Sequence, residues 1–159
     1  MTSGSSSQRE AIIAGALLGL ASGILSWSGF STLVASRSPE ALPKWARSRW
    51  TKRAAIPGAA GEVLANAFVS SLPPRTAPPA LFGRVVMGAT SGALASYGTG
   101  SVKTGAIAGG LSAPVGAWVA TNGRARLAKS VPDILVAVAE TVVAFGLSAV
   151  GARRGAGKR

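Results

Sequence analysis

AIIAGALLGLASGILSWSGFSTLVA, residues 11–35, is a run of 25 residues without one charged side chain. A bilayer core is about 30 Å thick, and a helix rising 1.5 Å per residue crosses it in about 20 residues. The same condition recurs at Val85 to Val102 and Thr104 to Gly123, which carry no charge, and at Ile134 to Ala152, where Glu140 is the one ionisable group. A soluble domain of this length interleaves charge far more often. The expected fold class is therefore all-α, a polytopic integral membrane helix bundle. Its expected spans are 11–35, 80–102, 104–123 and 133–152, with a fifth candidate at 54–72.

Composition agrees with that class. Charged residues make up 14% of the chain, against roughly 25% in an average soluble domain, and hydrophobic residues 48%. Four such helices use half of the 159 residues, so one membrane domain over 11–152 is the economical reading. It is preceded by a Ser/Gly-rich tail, 1–10, expected to be disordered because it has little to bury. A basic tail, 153–159, follows it. The first apolar run is too long for a signal-peptide core and reads as an uncleaved span.

There is no cysteine and no histidine. That removes thiol nucleophiles, disulfides and most zinc, copper or iron sites. No phosphate-binding loop, nucleophile elbow or acidic metal cluster is present. The expectation is a protein that is not an enzyme, with no catalytic residue, no metal and no cofactor. Any proton or cation chemistry rests on five carboxylates, Glu10, Glu40, Glu62, Asp133 and Glu140.

The net charge of +12 sits between the apolar runs, where the positive-inside rule puts it. Lys44, Trp45, Arg47, Arg49, Trp50, Lys52 and Arg53 interleave basic and aromatic side chains. Stacking platforms for nucleic acid have that pattern. Beside a span it reads better as an interfacial belt whose partner is anionic lipid headgroups. No nucleic-acid partner is expected. With four spans or with five, charge counting puts Arg37 to Arg53 in the cytoplasm and the N-terminus outside. The two counts disagree about the side of the C-terminal tail.

Small residues recur at helix-face spacing. Gly15, Gly19 and Gly23 form a Gly-x-x-x-Gly series, echoed by Gly88 and Gly92 and by Gly105 and Gly109. In lipid such spacing lets two helix backbones approach closely. These glycines are expected to pack helices within the chain or between protomers, in a homo-oligomer or with other membrane subunits. Gly15-Ala-Leu-Leu-Gly19 and Gly105-Ala-Ile-Ala-Gly109 are each followed by a basic linker and an acidic helix, bearing Glu62 and Glu140. With five spans this would be an inverted repeat, as in many transporters.

Polar residues inside apolar segments are the candidate site. Glu140 lies about 10 Å along a helix from Asp133, at a depth where an ionised carboxylate needs a partner or a wet cavity. Arg84 is the candidate partner. Glu62 and Asn66, four apart, share a helix face amid small residues. Pro57 and Gly58 weaken the first turn of that segment. Glu62 either converges with Glu140 on a relay or pairs locally with Arg53 or Arg75. Four prolines between Pro73 and Pro79 then break the chain, and Pro79 suits the first turn of the next helix.

Leu72-Pro-Pro-Arg-Thr-Ala-Pro-Pro-Ala-Leu-Phe-Gly-Arg-Val-Val-Met-Gly88 is the most specific stretch. It resembles an uncharacterised family of small bacterial membrane proteins, domain of unknown function four-one-two-six. The resemblance would cover roughly residues 13 to 150. It implies a Gly-rich first helix, matched by Gly15 to Gly29, and acidic positions matched by Glu62 and Glu140. Arg75, Thr76, Pro78, Pro79, Gly83 and Arg84 match its proline turn and following helix. Two acids of the family pattern are replaced, by Asn66 and Thr141. The implied polar membrane site is Glu62, Asn66, Arg75, Thr76, Arg84 and Glu140. The implied localisation is the bacterial inner membrane, multi-pass. The family supplies no activity. Two functions stay open: a small transporter or channel for a solute, ion or proton, and a non-catalytic accessory or assembly subunit of a larger membrane complex.

Overall fold

The computed structural model describes residues 3–69, 74–99 and 101–156. They form six α-helices: α1 (Ser3–Ile24), α2 (Ser28–Ser36), α3 (Arg49–Phe68), α4 (Pro78–Ala95), α5 (Val102–Leu127) and α6 (Asp133–Gly155). A single 3-10 turn, Pro39–Ala41, lies between α2 and α3, and no strand occurs among the described residues. By its own length and composition one helix, α6, is apolar enough to cross a membrane.

The charge-free run 11–35 is not one helix. α1 ends at Ile24, and the chain turns through Leu25, Ser26 and Trp27. The Ser28 hydroxyl donates to the Leu25 carbonyl at 2.8 Å, the kind of local bond by which serine stabilises turns. α2 then folds back along α1. A Cβ added at Gly29 would lie 3.1 Å from the Ser22 hydroxyl oxygen. In a straight helix, residues seven apart are separated by about 10 Å. Leu33 and Val34 of α2 share a buried cluster with Ala14 and Leu18 of α1, which fixes the antiparallel hairpin.

The bundle is built on glycine. Gly15 and Gly19 of α1 lie against Gly105 and Gly109 of α5, in the same order. Gly92 and Gly88 of α4 lie against the same Gly105 and Gly109, in the opposite order. So α1 and α5 run parallel, and α4 runs antiparallel to both. Gly23 continues the series against Ala113 and Gly116. All seven glycines singled out by spacing are thus spent inside this chain. The parallel, in-register packing of α1 on α5 also overturns the inverted repeat, because inversion would make those two helices antiparallel.

Both ends of the described chain lie at one end of the bundle. Glu10 of α1 pairs with Arg154 of α6 at 3.7 Å. Arg37, just past α2, donates to the carbonyls of Leu94, Ala95 and Ala152 at 3.0, 2.8 and 3.3 Å. The opposite end gathers the C-terminus of α5 and the N-termini of α4 and α6. The start of α1 and Arg37 thus share one end of the bundle, where opposite ends were expected. The α1–α2 hairpin returns the chain to the end it came from.

Other boundaries also differ. The helix starts at Ser3, so the disordered tail expected over 1–10 is helical from there; Met1 and Thr2 lie outside the described residues. α3 starts five residues before 54, with Ser48 accepting from the Trp50 N–H at 3.3 Å, and carries Pro57 inside it. Gly58 is there for Trp27, whose ring a Cβ would meet at 2.9 Å. The end of the 54–72 segment, 70–72, and Pro73 lie outside the described residues. α4 takes Pro78 and Pro79 in its first turn and stops at Ala95, short of the expected 102. A turn with Gly98 at φ 85° reverses the chain there. α5 runs on to Leu127 and α6 to Gly155, beyond the expected 123 and 152; residues 157–159 of the basic tail lie outside the described residues.

Candidate functional site

The hairpin tip stops inside the bundle. Gly23 of α1 packs at Ala113 and Gly116 of α5, yet α5 continues to Leu127. Ile24 and Leu25 at the tip share a buried cluster with Ala120 of α5, and the seven residues from there to Leu127 amount to about 10 Å of helix beyond the tip. Beneath the tip lies a cavity of about 560 Å³, lined by residues that include Leu25, Glu62, Asn66, Arg75, Arg84, Arg124 and Asp133.

Ending a helix inside a protein orphans backbone groups, and each must find a partner. Here two side chains supply them. The Glu62 carboxylate, from α3, accepts the N–H of Ser26 at 2.7 Å and of Trp27 at 2.9 Å. Arg84, from α4, donates through Nε to the Gly23 carbonyl at 3.0 Å. Its Nη2 lies 3.9 Å from Glu62 Oε1. One acid and one base thus hold the two sides of the break, and they neutralise each other. Glu62 therefore meets neither Arg53 nor Arg75 and does not converge with Glu140.

One turn further along α3, Asn66 joins a second network. Arg75, in the turn before α4, donates to both oxygens of Glu140 at 2.7 and 2.6 Å. This forked geometry suits a planar guanidinium on a carboxylate. Arg124 Nη1 reaches Glu140 Oε2 at 3.1 Å and Asn66 Oδ1 at 2.9 Å. Asn66 Nδ2 donates to Glu140 at 3.0 Å, while its Oδ1 also accepts from Arg75 at 2.7 Å. On its far side Arg124 binds Asp133, with Nε 3.0 Å from Oδ1. The side chains of Arg75 and Glu140 are each 10% exposed. The expected Glu140–Arg84 pair is thus replaced by two other arginines, because Arg84 is committed to the hairpin tip.

The network ties α3, the α3–α4 turn, α5 and α6 together at one end of the cavity. Glu62, Asn66, Arg75 and Arg84 all line that cavity, and Glu140 is bonded to two of the lining arginines. Thr76 is exposed and stays outside it. Arg124 stands outside the site expected from sequence, and Asp133 enters that expectation only as one of the five carboxylates. The signal was their position: each directly borders a charge-free run, one turn or two from the depth of Glu140.

No protein-family model matches this chain, and neither a curated protein nor a solved structure does. The resemblance therefore has no support beyond the residues quoted for it, chiefly 72–88.

Among the expected interfacial residues, Trp50 lies beneath two guanidiniums, with Arg49 at 5.6 Å and Arg53 at 5.4 Å from its ring centroid. Trp45 stacks on Phe30 at 6.2 Å and anchors the loop to the hairpin. Lys44, Arg47, Arg49 and Arg53 are exposed and Lys52 half-buried.

Proposed function

We propose that this chain is a multi-pass protein of the bacterial inner membrane that passes a small ion or polar solute through the cavity beneath the hairpin tip. The observation that carries the reading is a helical hairpin ending inside the bundle, above a cavity lined by charge. Non-helical backbone at membrane depth is tolerated where it lines a polar cavity, and broken helices mark solute sites in transporters.

The distribution of side-chain size supports a lipid setting. The interior is rich in glycine, alanine and serine, including buried Ser22, Ser28, Ser91 and Ser148, beside larger buried side chains such as Leu18, Leu33 and Leu42. Large apolar side chains point outward, with Phe68 74%, Leu111 71% and Phe82 71% exposed. In water such surfaces mark interaction or aggregation; in hydrocarbon they are solvated, and small interior residues are what helices in lipid pack with. α3, α4, α5 and α6 have 20, 18, 26 and 23 residues, each long enough to cross. On this reading four helices cross and α1–α2 re-enters.

Charge then assigns the side. Arg9, Arg37, Lys44, Arg47, Arg49, Lys52, Arg53, Lys103, Arg153 and Arg154 belong to the end with both termini. Arg75, Arg124, Arg126 and Lys129 belong to the other. The positive-inside rule makes the first end cytoplasmic, with Lys44 to Arg53 against anionic headgroups. The chain has no cysteine, so single cysteines report topology cleanly. Gln8→Cys, Ser38→Cys and Ala156→Cys should react with an impermeant maleimide only from the cytoplasmic side, and Ser130→Cys only from the outside. Labelling of Gln8→Cys and Ser130→Cys from the same side would end this topology.

The function is tested in liposomes. The purified chain should carry small ions or polar solutes at rates above protein-free vesicles, read as solute-evoked current or tracer uptake. Rates equal to the blank across inorganic ions, protons, small acids and amines would remove the transport reading.

The second reading is a non-catalytic accessory subunit, favoured by the saturation of the Glu140 network, which needs no solute to be complete. Because the glycine faces are used within the chain, a partner would have to dock on an outer face such as Ile107, Leu111, Val115 and Trp118 of α5. A stoichiometric partner retained through purification from native membranes in mild detergent would favour it.

A further inference from the structure

We propose that the end of the bundle holding Glu10 and Arg154 carries a binding site for one phospholipid whose headgroup joins a primary ammonium to a phosphate. A second cavity of about 560 Å³ opens at this end, a size in the range of small-ligand sites. Its lining includes Glu10 of α1, Ser96 and Thr99 of the turn after α4, and Arg153 and Arg154 of α6. Both signs of charge thus face one space, and they do not saturate each other. Glu10 Oε1 and Arg154 lie 3.7 Å apart, beyond hydrogen-bond reach. Glu10 Oε2 is buried without a hydrogen-bond partner among the described residues, and so is the hydroxyl of Ser96, a residue 1% exposed. A carboxylate oxygen without a donor calls for an N–H, and two exposed guanidiniums call for an acid oxygen. A zwitterion of ammonium and phosphate supplies both.

A lipid, in place of a soluble zwitterion, follows from what adjoins the cavity. The charge-free stretch of α6 after Glu140 ends at Ala152, so Arg153 and Arg154 sit where a bilayer core gives way to headgroups. Val142, Gly146, Val150 and Arg154 follow one another at four-residue spacing, which puts them on one face of α6. Val142 and Val150 are exposed, and a Cβ added at Gly146 would meet nothing within 4 Å. The missing side chain between two exposed valines leaves a shallow apolar groove that leads to Arg154, about 12 Å long at 1.5 Å per residue. An acyl chain lying in that groove brings its phosphate to the guanidiniums. The site rests on the membrane reading for how a lipid reaches it, and the cysteine labelling tests that reading separately.

The test is native mass spectrometry of the full chain in mild detergent, with phosphatidylethanolamine, phosphatidylcholine and phosphatidylglycerol of the same acyl chains added in equal amounts. Choline carries no N–H and the glycerol headgroup no cation, so only ethanolamine brings a charged N–H to Glu10. Wild type should retain one phosphatidylethanolamine, roughly tenfold over either of the others, the order set by one charge-assisted hydrogen bond. Glu10→Gln should bring the three lipids to near equality. A purely structural Glu10–Arg154 pair would instead change melting in that variant and leave the lipid ratio where it was. Gly146→Leu fills the groove and should cut retention of all three lipids several-fold. Equal retention of the three by wild type, a preference that survives Glu10→Gln, or full retention in Gly146→Leu overturns the assignment. The wild-type ratio needs no variant, so it decides even if Glu10→Gln does not fold. Equal retention with cysteine labelling on the expected sides would remove this site and leave the membrane reading standing; labelling on the wrong sides would remove that reading itself.

Discussion

Leucine at Gly92 will abolish folding, and leucine at Gly146 will not. Both glycines lie inside helices of the same bundle, so propensity treats them alike and favours leucine over glycine by roughly 0.8 kcal/mol at each. Their surroundings differ. A Cβ at Gly92 would overlap the Gly105 carbonyl oxygen and come 3.3 Å from the Gly15 Cα; at Gly146 nothing lies within 4 Å. The obstacle at Gly92 is backbone on two helices, which cannot turn aside as a side chain can. Moving α5 away from α4 would drive it into α1, since Gly109 packs against Gly88 on one side and near the Gly15 carbonyl on the other. The expected loss exceeds about 4 kcal/mol, the range reserved for changes with no local relaxation. Size-exclusion and thermal melting in detergent would read it. A Gly92→Leu protein melting within a few degrees of wild type would mean that α4 and α5 do not touch there.

This contrast separates what was legible in the sequence from what was not. Gly-x-x-x-Gly spacing located the α1–α5 and α4–α5 approaches, because spacing at 3.6 residues per turn is a property of one helix, but it did not mark Gly116 against Leu20 or Gly155 against Ala95. Partner and direction were not legible. Gly15 and Gly105 look alike whether their helices run parallel or antiparallel, and the inverted repeat failed on that point. The hairpin was hidden for a related reason. Residues 11–35 carry no charge, and their serines and threonine do not by themselves mark where the helix breaks. What ends α1 is the pairing of Ser26 and Trp27 with Glu62, 35 and more residues away, and no local pattern records that. The polar site shows the same division. Burial cost makes Glu62, Asn66, Arg84 and Glu140 conspicuous against apolar neighbours, whereas Arg124 and Asp133 border the charge-free runs, where burial cost singles out nothing. Arg84, the candidate partner of Glu140, is held at the hairpin tip, and Arg75 and Arg124 take its place.

Removing Glu140 alone should cost far more than removing it together with Arg75. Glu140→Leu leaves the Arg75 guanidinium, 10% exposed, facing Arg124 without its shared anion. Breaking one partner of a buried pair costs about 3–5 kcal/mol, because the survivor is left charged and unpaired. In Arg75→Leu/Glu140→Leu that orphan is gone, while Arg124 keeps Asp133 and the Asn66 carbonyl. Replacing a whole buried pair by apolar groups is often neutral. The double variant should therefore melt above the Glu140 single variant, with a coupling of at least about 2 kcal/mol. Additive losses would mean that the forked contact contributes little. The double variant also decides what the network is for. If Arg75, Arg124 and Glu140 only staple α3, α5 and α6, the folded double variant should carry solute at the wild-type rate. If they close the cavity beneath the hairpin tip, it should leak solute that wild type holds back, because the fold survives and the latch does not.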